Sequence, residues 1–205
     1  MQTTKRAVLF ANGQAKPGFE VSLLPDDFLI AVDGGLRHLK RLRQPPHLLI
    51  GDMDSVEAED LEQALNAGVE VRRFPPAKDQ TDLELALEYA LTRGYVHVII
   101  AYPFGDRADH TFGNLNLLSR PDLAGKTLLL DDGQVEVRLL SSSALIPTQP
   151  GELISLFAWG SPVEGIVTSG LEYPLADESL VPWQARGISN VALGDSIELH
   201  FKSGR

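Results

Sequence analysis

The chain contains no cysteine. Disulfide frameworks, thiolate zinc sites, iron–sulfur centres and cysteine nucleophiles are therefore excluded together. No apolar run approaches the ~20 residues needed to cross a bilayer, and no cationic n-region precedes an apolar h-region of signal-peptide type. The expectation is a cytoplasmic protein without membrane association. Basic residues are also few: 18 Lys and Arg stand against 28 Asp and Glu, a formal net charge of −10. Nucleic-acid binding rests on neutralising phosphates with Lys and Arg, so a surface this acidic argues against it. An acidic protein can still bind a small polyphosphate when carboxylates hold a divalent cation between themselves and the phosphate. The positions of the acids therefore matter more than their number.

What is present is enough apolar residue, 43% of 205, to build one or two packed domains. Over the first ~130 residues, short aliphatic runs at 7–10, 28–32, 47–50, 69–74 and 96–101 alternate with helical patterns at 36–43, 57–67, 82–93 and 111–118. That alternation predicts a parallel α/β sheet. The third helix has the clearest signals, with Thr81 and Glu84 spaced as a capping box and Gly94 placed to terminate it. After about Gly125 the pattern changes. Runs at 127–130 and 135–140 flank a turn tetrad at 131–134, as in a hairpin. Residues 141–151, rich in Ser and Pro, read as a connection. Short strand-like runs follow at 153–158, 165–169, 171–173, 187–192 and 197–201, predicting a small antiparallel sandwich or jelly-roll-like module.

The acids of the first half fall immediately after predicted strands. They form Asp33-Gly34-Gly35, Gly51-Asp52-Met53-Asp54-Ser55, Lys78-Asp79-Gln80-Thr81-Asp82 and Gly105-Asp106-Arg107-Ala108-Asp109-His110. In a parallel sheet these four loops leave from the carboxyl edge, where ligands of open α/β sheets bind. Taken singly, each has a local explanation. Asp33 suits a turn, Asp52, Asp54 or Ser55 could cap the next helix, Asp79 and Asp82 suit a helix N-terminus, and His110 could be a core or cap residue. Taken together, carboxylates converging on one edge repel each other unless a cation compensates them, and hard oxygen donors favour Mg²⁺. Neither a Walker A sequence nor G-x-G-x-x-G occurs. Gly34, Gly35, Gly51 and Gly105 are instead candidates for close backbone approach to phosphate.

In this order the four motifs resemble those of thiamine pyrophosphokinases. So do residues 151–157 (GELISLF), Gly170-Leu171-Glu172-Tyr173-Pro174-Leu175 and Gly187-Ile188-Ser189-Asn190 in the second half. The resemblance runs from about Ala31 to Asn190. It implies an α/β fold with an N-terminal Rossmann-like catalytic domain (1–130) binding ATP and Mg²⁺, and a C-terminal antiparallel β-sandwich (131–205) binding thiamine. It implies transfer of the pyrophosphoryl group of ATP to the hydroxyl of thiamine, giving thiamine diphosphate and AMP, in a homodimer. Carried over residue by residue, Asp52, Asp54 and Asp82 would hold Mg²⁺, with Asp33 and Asp79 nearby. Asp33, Gly34, Lys78, Arg107, Asp109 and His110 would shape the nucleotide side, while Ser189, Asn190 and a stacking Trp183 would contact thiamine. The chain departs from the family pattern at Asp106, where a glycine is usual, and in the bulky Tyr102-Pro103-Phe104 before it.

Three rival readings remain at this point. The segment 48–56 (LLIGDMDSV) also resembles the DxD nucleophile motif of haloacid-dehalogenase-type phosphatases, although there it normally follows the first strand. The others are pyrophosphorylation of another hydroxymethyl heterocycle, such as a pterin, and a nucleotide- or thiamine-binding module without turnover. Placing the acids in one domain and the thiamine motif in another, small one leads to the expectation of active sites shared between two subunits.

Overall fold

The computed structural model describes residues 5–204. It divides into two compact units, the first ending at Arg138 and the second beginning at Leu139. The division falls after the 127–138 hairpin, whereas the expected boundary at 130/131 lies within it.

The first unit is a seven-stranded sheet with helices. Its elements are β1 (Arg6–Phe10), β2 (Phe28–Val32), α1 (Leu36–Leu42), β3 (Leu48–Gly51), α2 (Ala58–Asn66), β4 (Glu70–Arg73), α3 (Asp82–Thr92), β5 (His97–Ala101), α4 (Ala108–Asn116), β6 (Thr127–Asp131) and β7 (Glu136–Arg138). The spatial order is β4-β3-β2-β1-β5-β6-β7. All neighbours are parallel except β7, which runs antiparallel to β6 at the edge. The central strands are buried along nearly their whole length, as a parallel sheet covered on both faces requires. The edge strand β4 carries Glu70, Arg72 and Arg73 on its exposed positions, charges that discourage edge-to-edge pairing.

Local signals set the helix ends. In α3 the Thr81 N–H donates to Glu84 Oε2 at 2.7 Å and the Glu84 N–H to Thr81 Oγ1 at 3.2 Å, a complete capping box. Leu83, Ala86, Leu87 and Ala90 form its buried face, and Gly94 closes it at φ 81°. The first helix is preceded by a 3₁₀ turn made of Asp33-Gly34-Gly35 itself. The fourth begins at Ala108, three residues before the expected start, so Asp109 and His110 belong to its first turn.

The second unit contains β8 (Ala144–Pro147), β9 (Leu153–Ile154), β10 (Val163–Ser169), β11 (Ala176–Leu180), β12 (Asn190–Val191) and β13 (Ser196–His200). These form an antiparallel sheet in the order β11-β10-β13-β8 and a β12-β9 ladder. Ile197 and Ile146 of the first pack with Ile154 of the second around Leu171 and Ala192. Three expectations are corrected here. Residues 141–151 are not merely a connection, because they contain β8, and 176–180 form a strand the apolar pattern did not reveal. Both are edge strands: β11 carries Asp177 and Glu178, and β8, though apolar, is four residues long and ends at Pro147. The run at 171–173 is not a strand; Leu171 makes only an isolated bridge to Ala192.

Candidate active site

The chain leaves β1 towards β2, β3 and β4 on one side and returns to β5 and β6 on the other, so the order reverses between β1 and β5. The acidic motifs follow β2, β3, β4 and β5, all at the carboxyl edge beside this reversal.

Asp33, directly after β2, has φ 47°, is 8% exposed, and its Oδ1 has no hydrogen-bond partner. Its surroundings explain the glycines. A β-carbon on Gly35 would lie 1.8 Å from the Phe10 carbonyl oxygen, and one on Gly34 would meet the Asn12 amide at 2.6 Å. A β-carbon on Gly51 would stand 2.9 Å from Asp33 Cβ. Gly35 and Gly51 are thus required by the protein's own packing, whereas Gly34 faces the Asn12 side chain. Gly105 has only ordinary contacts, with Gly13 and Gln14.

One carboxylate oxygen from each of Asp33, Asp52 and Asp54 lies within 4.8 Å of the others. Met53 between the last two has φ 70° and is buried, which turns both flanking acids to the same region. The Asp54 N–H donates to Asp52 Oδ1 at 3.2 Å, and Ser55 Oγ donates to Asp54 Oδ1 at 2.8 Å. The helix that follows is capped by none of these residues: its N-cap is Glu57, without a side-chain cap bond. The capping explanation for Asp52, Asp54 and Ser55 is removed.

Asp82 opens α3 beside this group. Burial pushes its carboxyl above the usual carboxylate range; Lys78 opposes that shift, and the charges of Asp52 and Asp33 add to it. Lys78 Nζ lies 3.1 Å from Asp82 Oδ1, an ion pair not aligned as a hydrogen bond, and 3.9 Å from Asp52 Oδ2, while donating to the Pro75 carbonyl at 3.1 Å. Three converging hard carboxylates with a buried, unpartnered oxygen fit a divalent cation such as Mg²⁺. Asp79 is exposed and stands outside the three-carboxylate group.

The β5 loop presents a second set. Arg107 and Asp109 are exposed and pair with each other at 2.6 Å, and His110 is exposed, so it is not a core histidine. Tyr102, bulky where the family pattern is small, points into the core. It is fully buried, packs its ring at a tilt against His38 at 4.3 Å between centroids, and accepts from Arg41 through its hydroxyl at 2.9 Å.

The loop after β1 also belongs to this edge, although no charged motif marks it in the sequence. The Gly13 and Gln14 N–H groups donate to the Tyr102 and Phe104 carbonyls at 3.1 and 2.7 Å, tying this loop to the β5 loop. Arg37 donates to the Asn12 side chain and to the Asn12 and Gly13 carbonyls, and His38 Nε2 donates to the Gly13 carbonyl at 3.0 Å. The available signal was an Asn-Gly pair directly after the first strand, at the same sheet edge as the acids. The recess of about 340 Å³ lined by Phe28, His47, Glu70, Tyr89 and Tyr95 lies at the amino ends of the strands, away from the carboxylates.

In the second unit, Trp183 is 75% exposed, and Ser189 is exposed at φ 55°. Asn190 is 3% exposed and its amide is committed to backbone. Its Oδ1 accepts from Tyr173 N–H at 3.0 Å and Val191 N–H at 2.9 Å, and its Nδ2 donates to the Tyr173 carbonyl at 2.7 Å.

Comparison with known proteins follows the same division. The family model for the thiamin pyrophosphokinase catalytic domain matches residues 21–129, and that for the vitamin B1 binding domain matches residues 144–205. A thiamine pyrophosphokinase of Bacillus subtilis is 26% identical over 177 residues, covering 85% of this chain and 83% of that protein. Thiamine pyrophosphokinase 1 of rice is 27% identical over 169 residues, covering 78% of this chain; the match spans 64% of the rice protein's length. Among solved structures, a thiamine pyrophosphokinase from Bacillus subtilis superposes with a TM-score of 0.85 at 23% identity, covering 98% of this chain and 95% of the other. A family protein from Enterococcus faecalis gives 0.83 at 27% identity, with the same coverages.

Proposed function

Because the chain belongs to the thiamine pyrophosphokinase family, we propose that it transfers the pyrophosphoryl group of ATP to the hydroxyl of thiamine. The thiamine oxygen attacks the β-phosphorus, the bond from that phosphorus to the α,β-bridging oxygen breaks, and AMP leaves. The observation that carries this reading is the convergence of Asp33, Asp52 and Asp54, with the unpartnered Asp33 oxygen among them, on the carboxyl edge of the sheet.

Transfers of this kind depend on positioning and charge neutralisation. Asp52 and Asp54, with Asp82 and Asp33 beside them, would hold Mg²⁺, which when bound supplies neutralisation of the phosphate charge. Lys78 and Arg107 add cationic donors for the phosphates. Release of Arg107 from its exposed pair with Asp109 would cost little, since water screens such a pair. A carboxylate of the cluster accepts the hydroxyl proton, and the acidic surroundings favour the thiamine cation. In the second unit, Trp183 offers a ring to stack on and Ser189 a hydroxyl. Asn190 acts by fixing the Tyr173 backbone and not through its own amide.

A homodimer with sites shared between subunits completes the proposal. The exposed apolar side chains of the small second unit support it, among them Leu153, Phe157, Tyr173 and Leu193. None of the described helices is long and apolar enough to cross a membrane, which accords with work in the cytoplasm. Incubation with ATP, Mg²⁺ and thiamine tests the reaction: AMP and thiamine diphosphate are expected. Formation of ADP with thiamine monophosphate would place attack at the γ-phosphorus and overturn the reading. Hydrolysis of phosphomonoesters through a phosphorylated Asp52 would support the phosphatase alternative.

A further inference from the structure

We propose that Lys78 is the resident counter-cation of the carboxylate cluster, and that it makes binding of a divalent ion conditional on the simultaneous arrival of polyphosphate. The inference rests on the reading of this site as a metal–nucleotide centre.

The geometry around Lys78 leads to it. The Nζ stands 3.1 Å from Asp82 and 3.9 Å from Asp52, and its side chain is only 15% exposed, with those of its partners at 20% and 13%. Charges so poorly hydrated feel each other more strongly than exposed ones. Lys78 and Asp82 are four residues apart, yet the pair is not a helix-surface pair, because α3 begins at Asp82. The ammonium reaches back from the loop after Pro75-Pro76, anchored on the Pro75 carbonyl. It lies where it relieves repulsion from Asp52 and Asp82, and where it opposes any second cation brought to the same carboxylates.

A bare divalent ion must therefore displace or tolerate this ammonium. A metal–polyphosphate complex need not, because its phosphate oxygens give the ammonium new anionic partners as the metal takes the carboxylates. The flexible four-carbon stem lets the charge move without the backbone moving. Linkage then requires strong reciprocal coupling, with nucleotide raising metal affinity and metal raising nucleotide affinity by the same factor. Without the ammonium, the cluster would bind the free ion unaided.

Calorimetric titration of MgCl₂ into the nucleotide-free protein tests this directly. The wild type should bind weakly. Lys78→Met should bind about tenfold more tightly or better, and its melting temperature without metal should fall and recover with Mg²⁺. Lys78→Arg, which keeps the charge, should behave as the wild type does. Lys78→Gln serves as a second neutral variant if Lys78→Met does not fold. A non-hydrolysable ATP analogue should strengthen Mg²⁺ binding much more in the wild type than in either neutral variant. Equal or weaker Mg²⁺ binding by the neutral variants would overturn the proposal, as would heat that persists when Asp54→Asn is added. The activity reading fails separately: a wild type that forms no thiamine diphosphate contradicts that reading, whatever Lys78 does to metal binding.

Discussion

Gly51 and Asp33 are packed so closely that a β-carbon on the glycine would lie 2.9 Å from the aspartate's own β-carbon. Both backbones have positive φ, 150° at Gly51 and 47° at Asp33. The acid is held against the neighbouring strand end by a contact that only glycine permits. Gly51→Ala should therefore lose about 1–3 kcal/mol of stability through backbone strain and shift Asp33 away from Asp52 and Asp54. Denaturant unfolding measures the first effect, and the Mg²⁺ concentration needed for half-maximal turnover measures the second. An alanine variant with an unchanged Mg²⁺ requirement would show that Asp33 does not depend on this contact.

Asp52→Asn and Asp54→Asn separate function from stability. Neither residue caps α2, and both belong to a group that is repulsive without a cation. Stability without metal should change by less than about 1 kcal/mol or increase, while turnover should fall by about a hundredfold or more. Steady-state rates across a Mg²⁺ series, with unfolding curves of the same preparations, give both quantities. Full activity at limiting Mg²⁺ would remove the substituted residue from the metal site.

His38 predicts a pH dependence. Burial, with Arg37 and Arg41 nearby, lowers its pKa from 6.5 to about 4, against the opposing bond to the Gly13 carbonyl. A histidine whose folded pKa is depressed stabilises the fold above the unfolded value. That contribution, up to about 3 kcal/mol, is lost as pH falls from about 6.5 to 4. Unfolding free energies at pH 7, 5.5 and 4 should therefore fall more steeply for the wild type than for His38→Gln, which can still donate to Gly13. Parallel curves would show that protonation of His38 does not govern acid stability.

The parts of this molecule legible in the sequence are those where one local cause dominates. Residues 47–50 predict a buried strand because both faces are apolar, and Thr81 with Glu84 predicts a helix start because the capping box is local. Edge strands escape for the same reason: Ala176–Leu180 pairs on one side only and carries Asp177 and Glu178. The carboxylate cluster could be anticipated because parallel strands bring successive loops to one edge. The purpose of Gly35 and Gly51 could not, since it depends on how closely Phe10 and Asp33 approach them. Nor could the commitment of Asn190 to the Tyr173 backbone, a contact spanning 17 residues. The role of the 12–14 loop is not local either: Asn12 is held by Arg37, and Gly13 and Gln14 by the β5 loop, neither adjacent in sequence.

The shared site is tested by complementation. The carboxylates belong to the first compact unit, while Trp183 and Ser189 belong to the second. If a subunit's carboxylates work with its partner's thiamine-binding surface, two different defects can be segregated into one cleft. Asp52→Asn supplies one defect. Trp183→Ala supplies the other, and because Trp183 is 75% exposed its removal should leave the fold intact. Each variant alone should be strongly impaired; a fully active Trp183→Ala would remove that ring from the thiamine site. Unfolded together and refolded, the two should form mixed dimers in which one cleft carries both defects and the other carries none. Activity should then rise towards a quarter of the wild-type value, since about half of randomly paired dimers are mixed and half of their clefts are intact. If each cleft is built within one subunit, every cleft keeps one defect and no activity returns. Absence of recovery, with mixed dimers demonstrated by differently tagged chains, would assign the whole site to a single subunit.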